Sequence, residues 1–151
     1  MYKTITPDPS SLNKFIYELE MLNGVFHLAI STTANGYEKN AGIESFLIHA
    51  RNIIDFLSNK RNHVDDLTCI DFVDSNMQPI QAAALPSIPN DLTIKINKHL
   101  THITKTRLAE KVEWDMASIR NVLTNSSIEF LKQCTPSYFT NREELIKRFT
   151  S

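Results

Sequence analysis

The chain has 151 residues, 42% apolar and 22% charged, with three Gly and six Pro. Sixteen Lys and Arg stand against seventeen Asp and Glu, a formal net charge of −1. That length suits a single domain over residues 1–151; the near-neutral charge excludes a globally cationic nucleic-acid binder, and the few glycines argue against collagen-like, linker-rich and turn-rich β architectures.

Asp8-Pro9-Ser10-Ser11 opens the first predicted helix, since Asp and Ser accept hydrogen bonds from free first-turn amides and Pro tolerates that turn. Leu12, Phe15, Ile16, Leu19, Leu22, Phe26 and Ile30 then recur at spacings of three and four, which puts one apolar stripe on one face. Asn35-Gly36 marks a turn, because both residues tolerate positive φ. The second helix is expected from about Tyr37 or Asn40 to about Asn59, with Ile43, Phe46, Leu47, Ala50, Ile53, Ile54 and Leu57 on one narrow arc. Such a seam suits packing in a bundle. From Lys60 to Asn90 the periodicity fades: Asp65, Asp66, Asp71 and Asp74 interrupt it, then Pro79, Pro86 and Pro89. Cys69-Ile70-Asp71-Phe72-Val73 reads as a short helical turn or a small strand, and the rest as a long crossover loop of a kind that is more often functional or mobile. A third helix starts near Asn90-Asp91 and runs to about Lys105 or Leu108, burying Leu92, Ile96, Leu100 and Ile103. A fourth is expected from about Leu108 to Cys134, with Trp114 near its start, Val112, Met116, Ile119, Leu123 and Phe130 on one face, and Ser126 at a narrow point. Pro136 ends it. Asn141-Arg142-Glu143-Glu144 starts a short last helix packed by Leu145, Ile146 and Phe149. The expected fold is all-α, a four- to five-helix up-and-down bundle with a long loop before the third main helix.

No apolar run approaches the roughly 18–20 residues that cross a bilayer, and Met1-Tyr2-Lys3-Thr4-Ile5-Thr6-Pro7 lacks an apolar core of signal-peptide length. Cys69 and Cys134 form neither a CxxC pair nor a metal spacing. A reduced, cytoplasmic protein with no membrane partner is the expectation.

Two helices carry candidate chemistry. At about 100° per residue, Glu44, Arg51 and Asp55 project within about 40° of one another on the second helix. Such a strip beside a buried seam can position a phosphate or an RNA backbone through the Arg. The plain alternative is an ion-pair row, worth about 0.3–0.5 kcal/mol per exposed pair. His49 falls on the other flank with Asn52 and Ser45, and joins the Arg51 strip only through a second helix. On the third helix Lys95, Lys98, His102 and Lys105 share one polar face within about 80°. This cationic strip suits phosphates spaced along a nucleic acid, and neighbouring ammonium groups favour the neutral imidazole that accepts a proton. The alternative is a solvated basic face balanced by the acidic Asp65–Asp74 loop. His99, near the Ile96–Ile103 stripe, reads as a partly buried core histidine, and Trp114 as a core or interface anchor.

Metal ligation is not expected: His99 and His102 have no carboxylate at a matching offset, and no HExxH occurs. The acidic loop has the oxygen ligands Mg²⁺ prefers, yet such loops are usually solvated. No GxxxxGK[ST], GxGxxG or GxSxG is present, so no cofactor is expected.

Glu44-Ser45-Phe46-Leu47-Ile48-His49-Ala50-Arg51-Asn52-Ile53-Ile54-Asp55-Phe56-Leu57, followed by Ile96-Asn97-Lys98-His99-Leu100-Thr101-His102-Ile103-Thr104 and Arg107, has an acidic loop between and a Trp-bearing helix after. This order resembles uncharacterised bacterial proteins of HEPN-like helical type, over roughly Glu44 to Leu131. The resemblance implies an up-and-down bundle, often dimeric, in which many members cleave RNA without a metal. It implies a signature Arg, a following polar residue and a His four to six residues further on. The His would act as acid or base on a ribose 2′-hydroxyl, and the Arg would stabilise phosphorane charge. Arg51-Asn52 carries the first half of that signature. Asn97 and His102 carry the second, with Lys98 where an Arg is absent; a Lys supplies charge without the guanidinium fork.

The leading expectation is therefore a HEPN-like bundle that binds or processes RNA or nucleotides. His102, Arg51 and Asn52 are its catalytic candidates, Lys95, Lys98, Lys105 and Arg107 its phosphate contacts, and Glu44, Asp55 and Asn97 their supports. A non-catalytic homodimeric interaction module is the alternative, drawn from the incomplete motif and the narrow second-helix seam. A Mg²⁺-dependent all-α nucleotide hydrolase using Glu44, Asp55 and Asp65-Asp66 ranks below both.

Overall fold

The computed structural model describes residues 8–101 and 113–151. Among the described residues five helices follow in order: α1 (Pro9–Ala29), α2 (Gly36–Leu57), α3 (Asn90–Thr101), α4 (Met116–Gln133) and α5 (Arg142–Thr150). Short 3-10 turns lie at Cys69–Asp71, Ala82–Ala84 and Pro136–Tyr138. Among the described residues β pairing is limited to an isolated antiparallel bridge between Val73 and Pro79. The chain is an all-α bundle, and no helix is long and apolar enough to cross a membrane among the described residues.

Side-chain caps set the helix starts. Asp8 accepts the Ser11 amide ahead of Pro9 in α1. Asn35, expected in a turn, instead caps α2: its side chain takes the Glu38 amide at 3.0 Å, and Glu38 takes the Asn35 amide at 3.1 Å. This reciprocal box satisfies two otherwise open donors and starts α2 at Gly36, ahead of the expected Tyr37 or Asn40. The helix stops at Leu57, two residues before Asn59, where Asn59 takes φ 55° and the Lys60 amide returns to the Asp55 carbonyl at 2.9 Å. The expected fourth helix also starts later. Asp115 accepts the Ser118 amide at 3.0 Å and its hydroxyl at 2.7 Å, so α4 opens at Met116. Glu113 and Trp114 are non-helical, and the expected opening at Leu108 lies outside the described residues.

α1 and α2 form a closely packed helical hairpin. Leu12, Phe15, Leu19, Leu22 and Phe26 are buried against Phe46, Leu47, Ala50, Ile53 and Ile54. The approach is tightest at Gly42, where a Cβ would come within 2.9 Å of the Ala29 nitrogen and of Leu28 Cγ. α4 completes the core. The ring of Phe130 meets Phe15, Phe56 and Phe72 edge-on at 5.1, 5.0 and 5.8 Å, a geometry that adds about 0.5–1.5 kcal/mol per pair beyond burial. α3 leans on α2 and buries Ile96, with Leu92 and Leu100 half-buried; Ile103 lies outside the described residues.

The connection from α2 to α3 is more ordered than its fading periodicity predicts. Thr68, Cys69, Phe72, Ile80 and Leu85 are buried. The Ile80 amide reaches the Phe72 carbonyl at 2.9 Å, and the Thr135 amide reaches the Val73 carbonyl at 2.9 Å. Ser126 does fill a narrow point: its hydroxyl donates to the Pro86 carbonyl as the connection passes over α4. Arg142 at the start of α5 donates to the Cys134 carbonyl at 2.9 Å and the Lys132 carbonyl at 3.3 Å, closing the C-terminus of α4.

Candidate functional site

A cleft of about 580 Å³ opens where α1 and α2 meet the segment just after α2. Lys14 and Glu18, one helical turn apart, supply its α1 wall; Arg51, Asn52 and Asp55 supply the α2 wall. Lys60, Asn62, His63, Asp65 and Asp66 close the third side, and Phe15 and Phe56 tie it to the aromatic core.

Three of the candidate residues thus meet in one place. Asp55 sits between two cations, with Arg51 Nε 3.9 Å from its Oδ2 and Lys60 Nζ 3.8 Å from its Oδ1. Neither contact is a hydrogen bond, since charge-assisted N–H···O bonds lie near 2.7–2.9 Å. Asp55 Oδ2 instead accepts Asn62 Nδ2 at 2.9 Å, while buried Oδ1 has no hydrogen-bond partner among the described residues. Arg51 is about one-third exposed and makes no hydrogen bond among the described residues. Arg61, Arg120, Arg142 and Arg148 all donate to protein oxygens. An Arg carries five N–H donors in a fork, and at Arg51 these donors are left for something else.

The other α2 flank joins the same wall through α1, the second helix its geometry requires. Glu18 Oε2 lies 2.7 Å from His49 Nδ1 and accepts Asn52 Nδ2 at 3.1 Å. Asn52 is held beside Arg51 by this carboxylate, while His49 stays largely buried behind it. Lys14, Glu18, Lys60, Asn62 and His63 are cleft residues that periodicity alone does not single out. The i,i+4 spacing of Lys14 and Glu18 was the available signal; the meeting of α1 with α2 depends on their register.

The acidic segment builds turns. Asp66 Oδ2 accepts the Asn62 and His63 amides at 2.7 and 2.8 Å. These bonds, the His63 amide first, hold its carboxyl below the ordinary 3.8. Asp71 takes the Thr68 amide at 2.8 Å and Arg61 at 2.6 Å. Asp74 takes the Asn76 and Gln78 amides at 2.8 and 3.0 Å. Backbone amides occupy these carboxylates, so the long connection is built of closed turns. Among the described residues no group of three or more His, Cys, Asp or Glu is placed to hold a metal ion, and Glu44 does not line the cleft with Asp55 and Asp66.

On α3, Lys95 departs from the expected open strip. Its ammonium donates to the Glu113 carbonyl at 3.2 Å and sits 4.7 Å over the Trp114 ring. His99 meets the same ring edge-on at 5.3 Å, so Trp114 anchors α3 as expected. Lys98 is exposed, Asn97 is half-buried, and neither lines the Arg51 cleft. His102, Lys105 and Arg107 lie outside the described residues, as does the expected meeting of Arg51 with His102.

Comparison of the chain with protein-family models, curated proteins and solved structures finds no match.

Proposed function

We propose that the chain is a HEPN-like helical bundle that binds RNA or a nucleotide, with the phosphate taken by Arg51. The observation that carries this reading is the unspent guanidinium. Arg51 faces an open cleft with its fork unbonded, flanked by Lys14 and Lys60 from two other elements. A planar fork with free donors recognises a phosphate bidentately, which a lysine does not. Asn52 beside it completes the first half of the signature in the HEPN resemblance, and Glu18 fixes its position. Lys98, exposed on α3 and outside the cleft, is a secondary phosphate contact.

Fluorescence anisotropy with labelled single-stranded RNA at low salt tests this directly. Arg51→Ala weakens binding at least tenfold, and Lys98→Ala weakens it less. Absence of binding by the unaltered protein, or equal affinity in Arg51→Ala, overturns the reading.

The proposal includes self-association. Leu28, Ile30 and Tyr37 are exposed near the tip of the α1–α2 hairpin, Tyr37 at 90%, and apolar surface of this kind favours a second copy of the chain. Sedimentation at micromolar concentration reads the dimer; a clean monomer removes it. A reducing, cytoplasmic setting suits the two buried free thiols, whose burial pushes Cys69 to about 11 and Cys134 to about 12.

A further inference from the structure

We infer that the cleft selects a nucleoside unit bearing a single phosphate over a polyphosphate, and that Asp55 sets this limit; the inference rests on the proposed anion-binding role of Arg51. Three cations line the cleft, Lys14, Arg51 and Lys60, against four carboxylates. The site therefore has one negative charge in excess before any ligand enters. A single phosphate can be met by Arg51 alone. Each additional phosphate adds negative charge that the cleft has no spare cation to offset, and like charges at short range repel.

Asp55 enforces this by position. It stands between the two cations that a polyphosphate needs to engage together, 3.9 Å from Arg51 and 3.8 Å from Lys60. Asn62 holds it there through a 2.9 Å hydrogen bond, and its side chain is only 13% exposed. It cannot swing into solvent without breaking that bond. The remaining polar groups suit the rest of a nucleoside. Asn52 and Asn62 each direct an amide N–H to Glu18 and Asp55, which leaves their carbonyl oxygens as acceptors for ribose hydroxyls or a base amino group.

Competition against a labelled single-stranded oligoribonucleotide tests the inference, with EDTA present so that no cation screens the phosphates. The competitors are AMP, ATP and tripolyphosphate, the last separating phosphate charge from nucleoside contacts. For the unaltered protein AMP displaces the probe at a concentration at least tenfold below ATP, and tripolyphosphate is the weakest. Asp55→Asn retains the Asn62 contact and removes the charge; it strengthens ATP competition at least tenfold, while Asp55→Glu restores the preference for AMP. ATP competing as well as AMP with the unaltered protein overturns the inference and leaves the function standing, and needs no variant to fold. A ratio unchanged in a folded Asp55→Asn removes Asp55 from the selection. Failure of the unaltered protein to bind the probe at all overturns both.

Discussion

Two faces of α1 are each met by a part-buried arginine, Arg120 of α4 and Arg51 of α2, and the two differ in what the guanidinium does. On the α4 side, Arg120 donates to Asn23 Oδ1 at 2.9 Å and lies 4.6 Å over the Phe26 ring. Asn23 is itself committed to the Leu19 carbonyl and to Thr124. On the α2 side, Arg51 has a carboxylate at 3.9 Å and no hydrogen bond among the described residues. Side chains that serve the architecture spend their donors on the protein, because unmet buried donors are costly. A guanidinium kept unbonded at the wall of a cleft is available to a ligand.

The shared core sets the scale for breaking this comparison. Phe130→Ala removes a ring that touches Phe15, Phe56 and Phe72. It costs about 3–5 kcal/mol by denaturant unfolding and loosens both faces together. Arg120→Met comes next, at about 1.5–3 kcal/mol, from the lost charged hydrogen bond and the contact over Phe26. A cost below about 0.5 kcal/mol there dissolves the contrast between the two arginines. Ser127→Ala runs the other way. Its hydroxyl is buried without a hydrogen-bond partner among the described residues, so its removal raises stability by about 1 kcal/mol in the same assay.

Local chemistry made much of the bundle legible. The stripes of α1 and α2 and the caps at Asp8 and Asn141 announce helices by periodicity and by free amides that need acceptors. The late start of α4 was hidden because Met116 and Ile119 also continue a stripe begun at Val112; the bonds that Ser118 donates to Asp115 decide it. The connection between α2 and α3 was hidden for a different reason. Its order comes from aperiodic carboxylate-to-amide bonds and from single anchors such as Phe72 and Ile80, which no repeat reveals. At the candidate site, Arg51, Asn52 and Asp55 were legible as helix neighbours. Glu18 joining His49 to Asn52 was not, since that contact depends on the register of two helices.

The smallest expected effect concerns the turn that closes the cleft. Asp66 accepts two amides and its carboxyl is held below 3.8, the His63 amide first and the Asn62 amide after it being the cause. A lowered folded-state value means that the stabilisation is fully present above the unfolded value and is lost as pH falls through the folded one. The protection of the Asn62 and His63 amides, each rate taken relative to its intrinsic rate at the same pH, is therefore full at pH 5 to 7 and falls below about pH 4, ahead of protection in α2. Simultaneous loss of protection in both contradicts a locally closed turn.

The most direct test pairs stability with binding in Arg51→Met, which keeps the aliphatic stem and removes the fork. The expected result is an unfolding free energy within about 0.5 kcal/mol of the unaltered protein, together with at least a tenfold loss of affinity for single-stranded RNA. A destabilised variant that retains full affinity contradicts it, because Arg51 would then serve the fold and leave the ligand untouched.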